Sequence, residues 1–458
     1  MPLWFRRLEF VLSHPLLTAP IGRSLLRLAG PTTAVMAVQV VVAVAEAWFV
    51  ARLGIDALAG IALVIPFITL MMNMANGGMG GGVASALART LGAGRLEDAR
   101  ALALHALLLG LGCALVFTIF AWTALPVVFR WLGGSGPVLQ QALAFSTVWF
   151  SGAAVLWSSA FLSALLRGGG DSATPSRIGF VMSVLYIPLL GVLTLGLGDW
   201  PGLGLVGCAI APLITGVASV ILLAQAVGRG RQDFWRTLGR VPLQWRLFGE
   251  ILRVGAMGSV TTITSTFTAM LVTGLVGRFG TAALAGYSIG MRLEFMLAPL
   301  AFGIGTGATT LVGIAAGAGA WSRAAKVAWT GGLFAFFAMG AIGWVIALLP
   351  ETWSHLFASD PAVIAASVAC IVHIAPFYCL FGLGLTLNFA SQGAGRMTVP
   401  VIASVARLIA AAGGGWFAME KLGLGLDGVF MAIAASLAIY GFLIAGALLL
   451  FPWKSRRG

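Results

Sequence analysis

EAWFVARLGIDALAG, Glu46 to Gly60, places one carboxylate inside an apolar stretch and then closes that stretch with a glycine turn. The turn returns half a chain later as GRFGTAALAG, Gly277 to Gly286, where a shift of 226 carries Arg52 onto Arg278, Gly54 onto Gly280 and Gly60 onto Gly286. A second pair, GGGDSATP (Gly168 to Pro175) and GAGRMTVP (Gly393 to Pro400), superposes Gly170 on Gly395 and Pro175 on Pro400 at a shift of 225. Near-equal shifts at distant places mark an internal duplication. Glu46 falls on Val272. The scaffold is doubled and this carboxylate is not, which points to energy coupling in one half.

Composition sets the class. Hydrophobic residues make up 60% of the chain and charged ones 9%, against about 25% charged in an ordinary soluble domain. Apolar segments long enough to cross a bilayer as helix fall near 28–50, 57–86, 101–125, 137–164, 175–197, 203–228, 252–276, 283–313, 326–349, 362–390, 398–418 and 426–451. The expected fold is all-α and integral to the membrane: twelve transmembrane helices in two six-helix lobes related by a parallel internal repeat. The N-lobe spans 28–228 and the C-lobe 252–451, with an interfacial segment at 1–27, a linker at 229–251 and a tail at 452–458. Leu3, Trp4, Phe5, Leu8, Val11 and Leu12, interleaved with charges, suit a helix lying in the interface.

Charge gives orientation. Of the 27 basic residues, 21 fall in the termini and alternate loops of one side, while the opposite loops hold Arg52, Arg130, Arg278 and Lys421. Both termini are therefore expected in the cytoplasm of a bacterial inner membrane. The net charge of +13 follows from topology, and no basic soluble domain exists to take nucleic acid. The four cysteines form no CxxC pair, and the four histidines lie in separate segments. No metal centre or nucleophile–base pair is indicated, and an enzyme is not expected.

Glu46, Arg292, Glu294 and Arg407 stand within membrane segments, where a charge at mid-bilayer costs about 2.5–3.5 kcal/mol on insertion scales and usually faces a partner or a cavity. Arg292 and Glu294 are two apart, on different helix faces, and each is expected to tie its helix to a neighbour. Arg407, nine residues into its helix, is expected to reach back toward the cytoplasm. Glu46 has no basic residue within four positions and apolar helical neighbours in Val42, Ala43 and Val50. A carboxyl so placed can load a proton on one side and release it on the other.

Trp48, Phe67, Met71, Met74 and Glu294 are the expected walls of a substrate cavity, the methionines offering soft contacts and the aromatics cation–π contact. Gly77, Gly78, Gly80, Gly81 and Gly82 crowd five glycines into six positions, which suits close helix packing or a bend. Pro31 and Pro188 are further expected hinge points, and the paired loops GAGRLEDAR (from Gly92) and GAGAWSRAA (from Gly317) look like surface hinges. Pro66, Pro212, Pro299 and Pro376 also fall inside candidate helices, where each frees a carbonyl that needs protein or a wet cavity beside it.

Twelve segments in two sixes, EAWFVARLGIDALAG in the first, the GAG loops after the second and eighth, and RGGGDSATP with its copy QGAGRMTVP before the fifth and eleventh together resemble the multidrug and toxic compound extrusion (MATE) family. The resemblance covers nearly the whole chain. It implies two lobes about a cleft and export of amphipathic, often cationic, small molecules in exchange for protons or sodium, with no other cofactor. It also implies a coupling role for the acidic residue of the first helix, here Glu46. The chain departs from the family where the fifth helix often carries Asn and Asp, showing Ser183, Ile187 and Pro188, and where the seventh and tenth helices of another branch carry Glu and Asp. Protons are therefore favoured over sodium, with Ser183 and Tyr186 as helpers to Glu46. The protein is expected to act as a monomer among membrane lipids. A lipid-linked precursor flippase of the same superfamily is the alternative, although such a carrier wants a strongly cationic cavity and only Arg292 and Arg407 are at hand. A major-facilitator carrier is disfavoured because GAGRLEDAR lacks that family's loop signature.

Overall fold

A computed structural model describes residues 15–229 and 242–453. The expected interfacial stretch 3–12, most of the linker and the last tail residues lie outside the described residues. After a short turn at Pro15–Thr18, the spans are α1 (Ile21–Ala51), α2 (Ile55–Gly92), α3 (Leu96–Thr123), α4 (Gly136–Ser151 and Ala153–Gly168), α5 (Ala173–Leu195) and α6 (Leu205–Arg229). The second half repeats them as α7 (Trp245–Gly277), α8 (Thr281–Gly317), α9 (Trp321–Leu348), α10 (Pro361–Ala394), α11 (Thr398–Glu420) and α12 (Gly425–Leu450). No strand is present among the described residues; Leu197 and Trp200 form an isolated bridge. An even number of spans puts the start of α1 and the end of α12 on one face, here the near face; the other is the far face.

Local sequence accounts for the breaks. The turn after α1 closes on Gly54 at φ 102°, and its copy after α7 closes on Gly280 at φ 96°, a backbone that side chains with a Cβ rarely adopt. The glycine run weakens α2 enough for a π turn at Met74–Gly78. α4 bends by 48° beside Gly152. α10 passes through a 3-10 turn at Ala375–Phe377, where Pro376 donates no hydrogen bond. Pro31 produces no break: α1 runs through it as helix.

α1 and α7 begin furthest ahead of their apolar segments. α1 starts at Ile21 and carries Arg23 and Arg27 at its near end, where long basic side chains reach the membrane surface. α7 starts at Trp245 because its first turns are held by charge: Arg246 pairs with Asp98 at 2.8 Å and with Glu250 at 3.1 Å, and Arg95 pairs with Glu250 at 3.2 Å. Arg323, the repeat mate of Asp98, holds the segment before α1 by donating to the carbonyls of Leu16 and Ala19 at 3.0 and 2.6 Å. The halves use one device with different chemistry.

Two cores form, and the helices that begin each half cross between them. Leu25, Leu28 and Ala29 at the start of α1 lie in the core of the second half, while Val42 and Val50 further along lie in the core of the first. α7 mirrors this, with Ile251 in the first core and Val272 and Val276 in the second. The lobes are thus knitted together at the near face.

The seam is glycine, because helices in lipid gain stability from close packing in place of a hydrophobic drive. A Cβ on Gly82 would lie 2.7 Å from Gly255 Cα, and one on Gly307 would lie 3.6 Å from Ala29 N. A Cβ on Gly78 would meet Ser259 N at 2.9 Å, and one on Gly303 would meet Thr33 N at 3.0 Å. A Cβ on Gly92 would sit 2.1 Å from Ile314 O, and one on Gly317 at 2.1 Å from Arg89 O. Each pair is the repeat copy of its partner, so these contacts are reciprocal about an internal two-fold axis, as in an isologous dimer interface. The glycines of the two GAG loops are therefore contact points as well as turns. Of the run at Gly77–Gly82, Gly78, Gly81 and Gly82 serve the seam, Gly80 faces the carbonyl of Ala75 in the π turn, and Gly77 has open space beside it.

Candidate functional site

α1 and α5 pack side by side, and their facing residues supply the polar interior of the first lobe. Glu46 is half-buried and accepts a hydrogen bond on Oε1 from the Tyr186 hydroxyl. One turn before Tyr186, buried Ser183 donates to the Gly179 carbonyl at 2.8 Å and accepts from Gln39 Nε2 at 3.1 Å. Gln39 stands seven residues before Glu46, two turns down the same face of α1. The site is a short ladder of two rungs, Glu46–Tyr186 and Gln39–Ser183, joining two helices. Thr194 and Cys208 make a neighbouring contact at 3.2 Å between α5 and α6. Pro188, two residues past Tyr186, removes one helical hydrogen bond from α5 without ending it.

Ser183 and Tyr186, expected beside Glu46, are therefore in place on the same face. Gln39 was missed. Its spacing from Glu46 was readable, yet an amide carries no charge to draw attention in an apolar run.

The second lobe holds a different arrangement. Glu294 of α8 pairs with Arg407 of α11 at 3.9 Å, and the guanidinium lies 4.7 Å from the ring centre of Phe381 and 5.8 Å from that of Tyr440. Tyr440 also accepts from Asn388 Nδ2 at 3.0 Å. Arg407 thus turns into the lobe, correcting the expectation that it reaches back to the membrane surface; a carboxylate and two rings offer more than the headgroups. Glu294 ties α8 to α11 through Arg407, as expected for a residue linking its helix to a neighbour. Arg292 lies over the Phe357 ring at 4.6 Å.

The remaining expected cavity residues are not gathered at Glu46. Met71 is fully buried in the first core and so lines no open cavity here. Met74 begins the π turn and packs on that core. Phe67 rests against the rings of Phe120 and Phe129 at 6.1 and 6.0 Å. Trp48 is half exposed, with the Arg52 guanidinium 4.0 Å from its ring centre. Two residues past Glu46, it points to another face of α1. Among the described residues no group of three or more His, Cys, Asp or Glu side chains could hold a metal ion.

Comparison with known proteins agrees with this architecture. The MatE family model matches residues 31–191 and 259–417, one match in each half. The chain is 26% identical over 443 residues to the probable multidrug resistance protein NorM of Thermotoga maritima, covering 95% of this chain and 94% of that protein. It is 24% identical over 382 residues to an FAD transporter of Shewanella oneidensis, covering 82% of this chain and 83% of that one. A solved transporter of the MOP superfamily from Pyrococcus furiosus superposes with a TM-score of 0.86 at 24% identity, over 95% of this chain and 96% of the other.

Proposed function

Since the chain belongs to the MatE family of membrane transporters, we propose that it exports amphipathic, cationic small molecules by proton antiport, with Glu46 as the group that carries the proton. The observation that carries this reading is the asymmetry between Glu46 and Glu294. Glu294 has the Arg407 guanidinium 3.9 Å away. Glu46 has only a neutral phenol against it, so it alone is free to exchange its charge.

The near face is the cytoplasmic one on this reading, because the basic loops lie there. The conformation is then outward-open: the glycine seam seals the cytoplasmic side, while the outer halves of α1 and α7 retire into separate cores. Protonation from outside and release inside, coupled to opening of the seam, complete an alternating-access cycle. A proton needs one carboxylate, whereas sodium needs several converging oxygens, and around Glu46 the further oxygens are the neutral ones of Tyr186, Ser183 and Gln39. The protein works as a monomer on this reading, since each chain holds both lobes.

Susceptibility profiling of cells stripped of their own pumps tests the substrate. Expression is expected to raise tolerance to lipophilic cations such as ethidium more than to anionic drugs. Translocation of lipid-linked precursors, or of FAD as in the Shewanella relative, with no protection against dyes would replace this reading.

A further inference from the structure

A cavity of about 10 Å³ lies in the seam, room for one water molecule. Its walls include Gly81, Ala84 and Arg167 from the first lobe and Thr306, Thr309 and Gln392 from the second. These six are three pairs of repeat mates: 81 and 306, 84 and 309, 167 and 392 each differ by 225. The cavity therefore sits on the internal two-fold axis, and each lobe supplies half of it. It exists as a site only while the near face is shut.

Its chemistry is unbalanced. Gln392 is 3% exposed, and its Nε2 donates to the carbonyls of Gly77 and Gly78 at 3.0 and 3.2 Å, beside the π turn of α2. Rotating the amide by half a turn would set its oxygen against two carbonyl oxygens, so its orientation is fixed by its partners. Oε1 is then left buried with no hydrogen-bond partner among the described residues. It lies over Gly81, where a Cβ would come within 2.1 Å of it. Arg167, its repeat mate, faces the same cavity, and no hydrogen bond or ion pair reaches its guanidinium among the described residues. An orphaned buried acceptor is destabilising if nothing fills the gap.

From this we infer that the axial cavity binds one water molecule, which donates to Gln392 Oε1, accepts from the Arg167 guanidinium and gives its second proton to the Thr309 hydroxyl oxygen. Thr309 can accept there because its own proton goes to the Phe389 carbonyl at 2.8 Å. A halide fails the site, since it cannot donate to Oε1. A metal ion fails it, since Arg167 repels it. The water is a pin between lobes: it enters as the near face shuts and leaves as it opens. This role rests on the alternating-access reading above, whereas the presence of the water does not.

Two measurements test it on the full chain. A high-resolution structure of the near-face-closed state is expected to show one density peak within hydrogen-bond distance of Gln392 Oε1 and of Arg167, and Arg167→Leu is expected to lose it. A dry cavity at a resolution that reveals other buried waters, or a peak unchanged in Arg167→Leu, overturns the assignment. Should that variant fold poorly, X-ray hydroxyl-radical footprinting of the unaltered protein serves instead. Phe389, which lines the cavity, is expected to be oxidised by a water that exchanges slowly with added H2-18O; no oxidation, or exchange as fast as at the surface, overturns it. Slow exchange that persists when the near face is trapped open would leave the water in place and remove its role as a pin.

Discussion

Replacing Glu46 by Gln keeps side-chain length and an acceptor oxygen, so Tyr186 still has a partner and the packing of α1 on α5 is preserved. The single loss is the exchangeable proton. Exchange of one proton for one monovalent cation moves no net charge, so the membrane potential cancels. One unit of pH difference supplies about 1.4 kcal/mol, about tenfold in concentration ratio. In vesicles holding the purified protein, with the potential clamped, wild-type dye accumulation is therefore expected to rise about tenfold per imposed pH unit. Glu46→Gln is expected to bind dye and show no gradient response. Glu46→Asp withdraws the carboxylate by one carbon–carbon bond, about 1.5 Å, beyond the reach of Tyr186. A hydrogen bond to a charged group contributes about 1.5–3 kcal/mol, so this variant should stay coupled at a rate lower by about one to two orders of magnitude. Gradient-driven efflux at wild-type rate in Glu46→Gln, or wild-type efflux that follows sodium and ignores pH, refutes the reasoning.

Gly82→Val puts side-chain atoms where Gly255 backbone already stands 2.7 Å from the Cβ position; the seam should fail to shut, seen as raised labelling of a cysteine placed in it and as lost export, and an unlabelled seam would count against the sealing role. Arg407→Gln leaves Glu294 buried without its cation and is expected to cost about 3–5 kcal/mol in stability, with Glu294→Gln in the same chain recovering most of it; additive losses in a double-mutant cycle of unfolding would show that the pair is idle. Reporters fused near Arg236 and at the C-terminus should both read cytoplasm, and an external reading at either would invert the orientation on which outward opening rests.

The lobes were legible because hydrophobic length and the 225-residue shift are properties of the chain itself. Helix ends were less so: the starts of α1 and α7 extend past the apolar windows into turns held by arginines, where charge pairing and reach to the surface decide and apolarity is silent. The partners of the buried charges were partly hidden. Tyr186 and Ser183 could be named, but Arg407 was read as reaching for the surface because nothing in its own helix announces Glu294, more than a hundred residues away. Gln39 and Gln392 escaped because amides look inert in sequence, although buried amides must be satisfied as strictly as charges.

The internal repeat nevertheless carries information about the site through its failures. Residues that seal the seam are small in both halves, because the mate of each contacts the mate of its partner across the axis, and so Gly78 matches Gly303, Gly82 matches Gly307 and Gly92 matches Gly317. A group that exchanges charge does not need a copy, and a second uncompensated carboxylate would add its own burial cost. Glu46 accordingly matches Val272, and its whole ladder is missing from the second lobe: Tyr186 matches Ala411, Ser183 matches Leu408 and Gln39 matches Ser265. A carboxylate grafted at Val272, which is 2% exposed among apolar neighbours, would meet no phenol at the matching place and would be a buried charge without a partner. Glu294 and Arg407, matched by Ile68 and Met182, stand where the second lobe fixes a charge pair of its own. Mates that agree mark the moving scaffold; mates that differ in chemistry mark where the two lobes divide the work, and Glu46 is the difference with no compensating charge beside it.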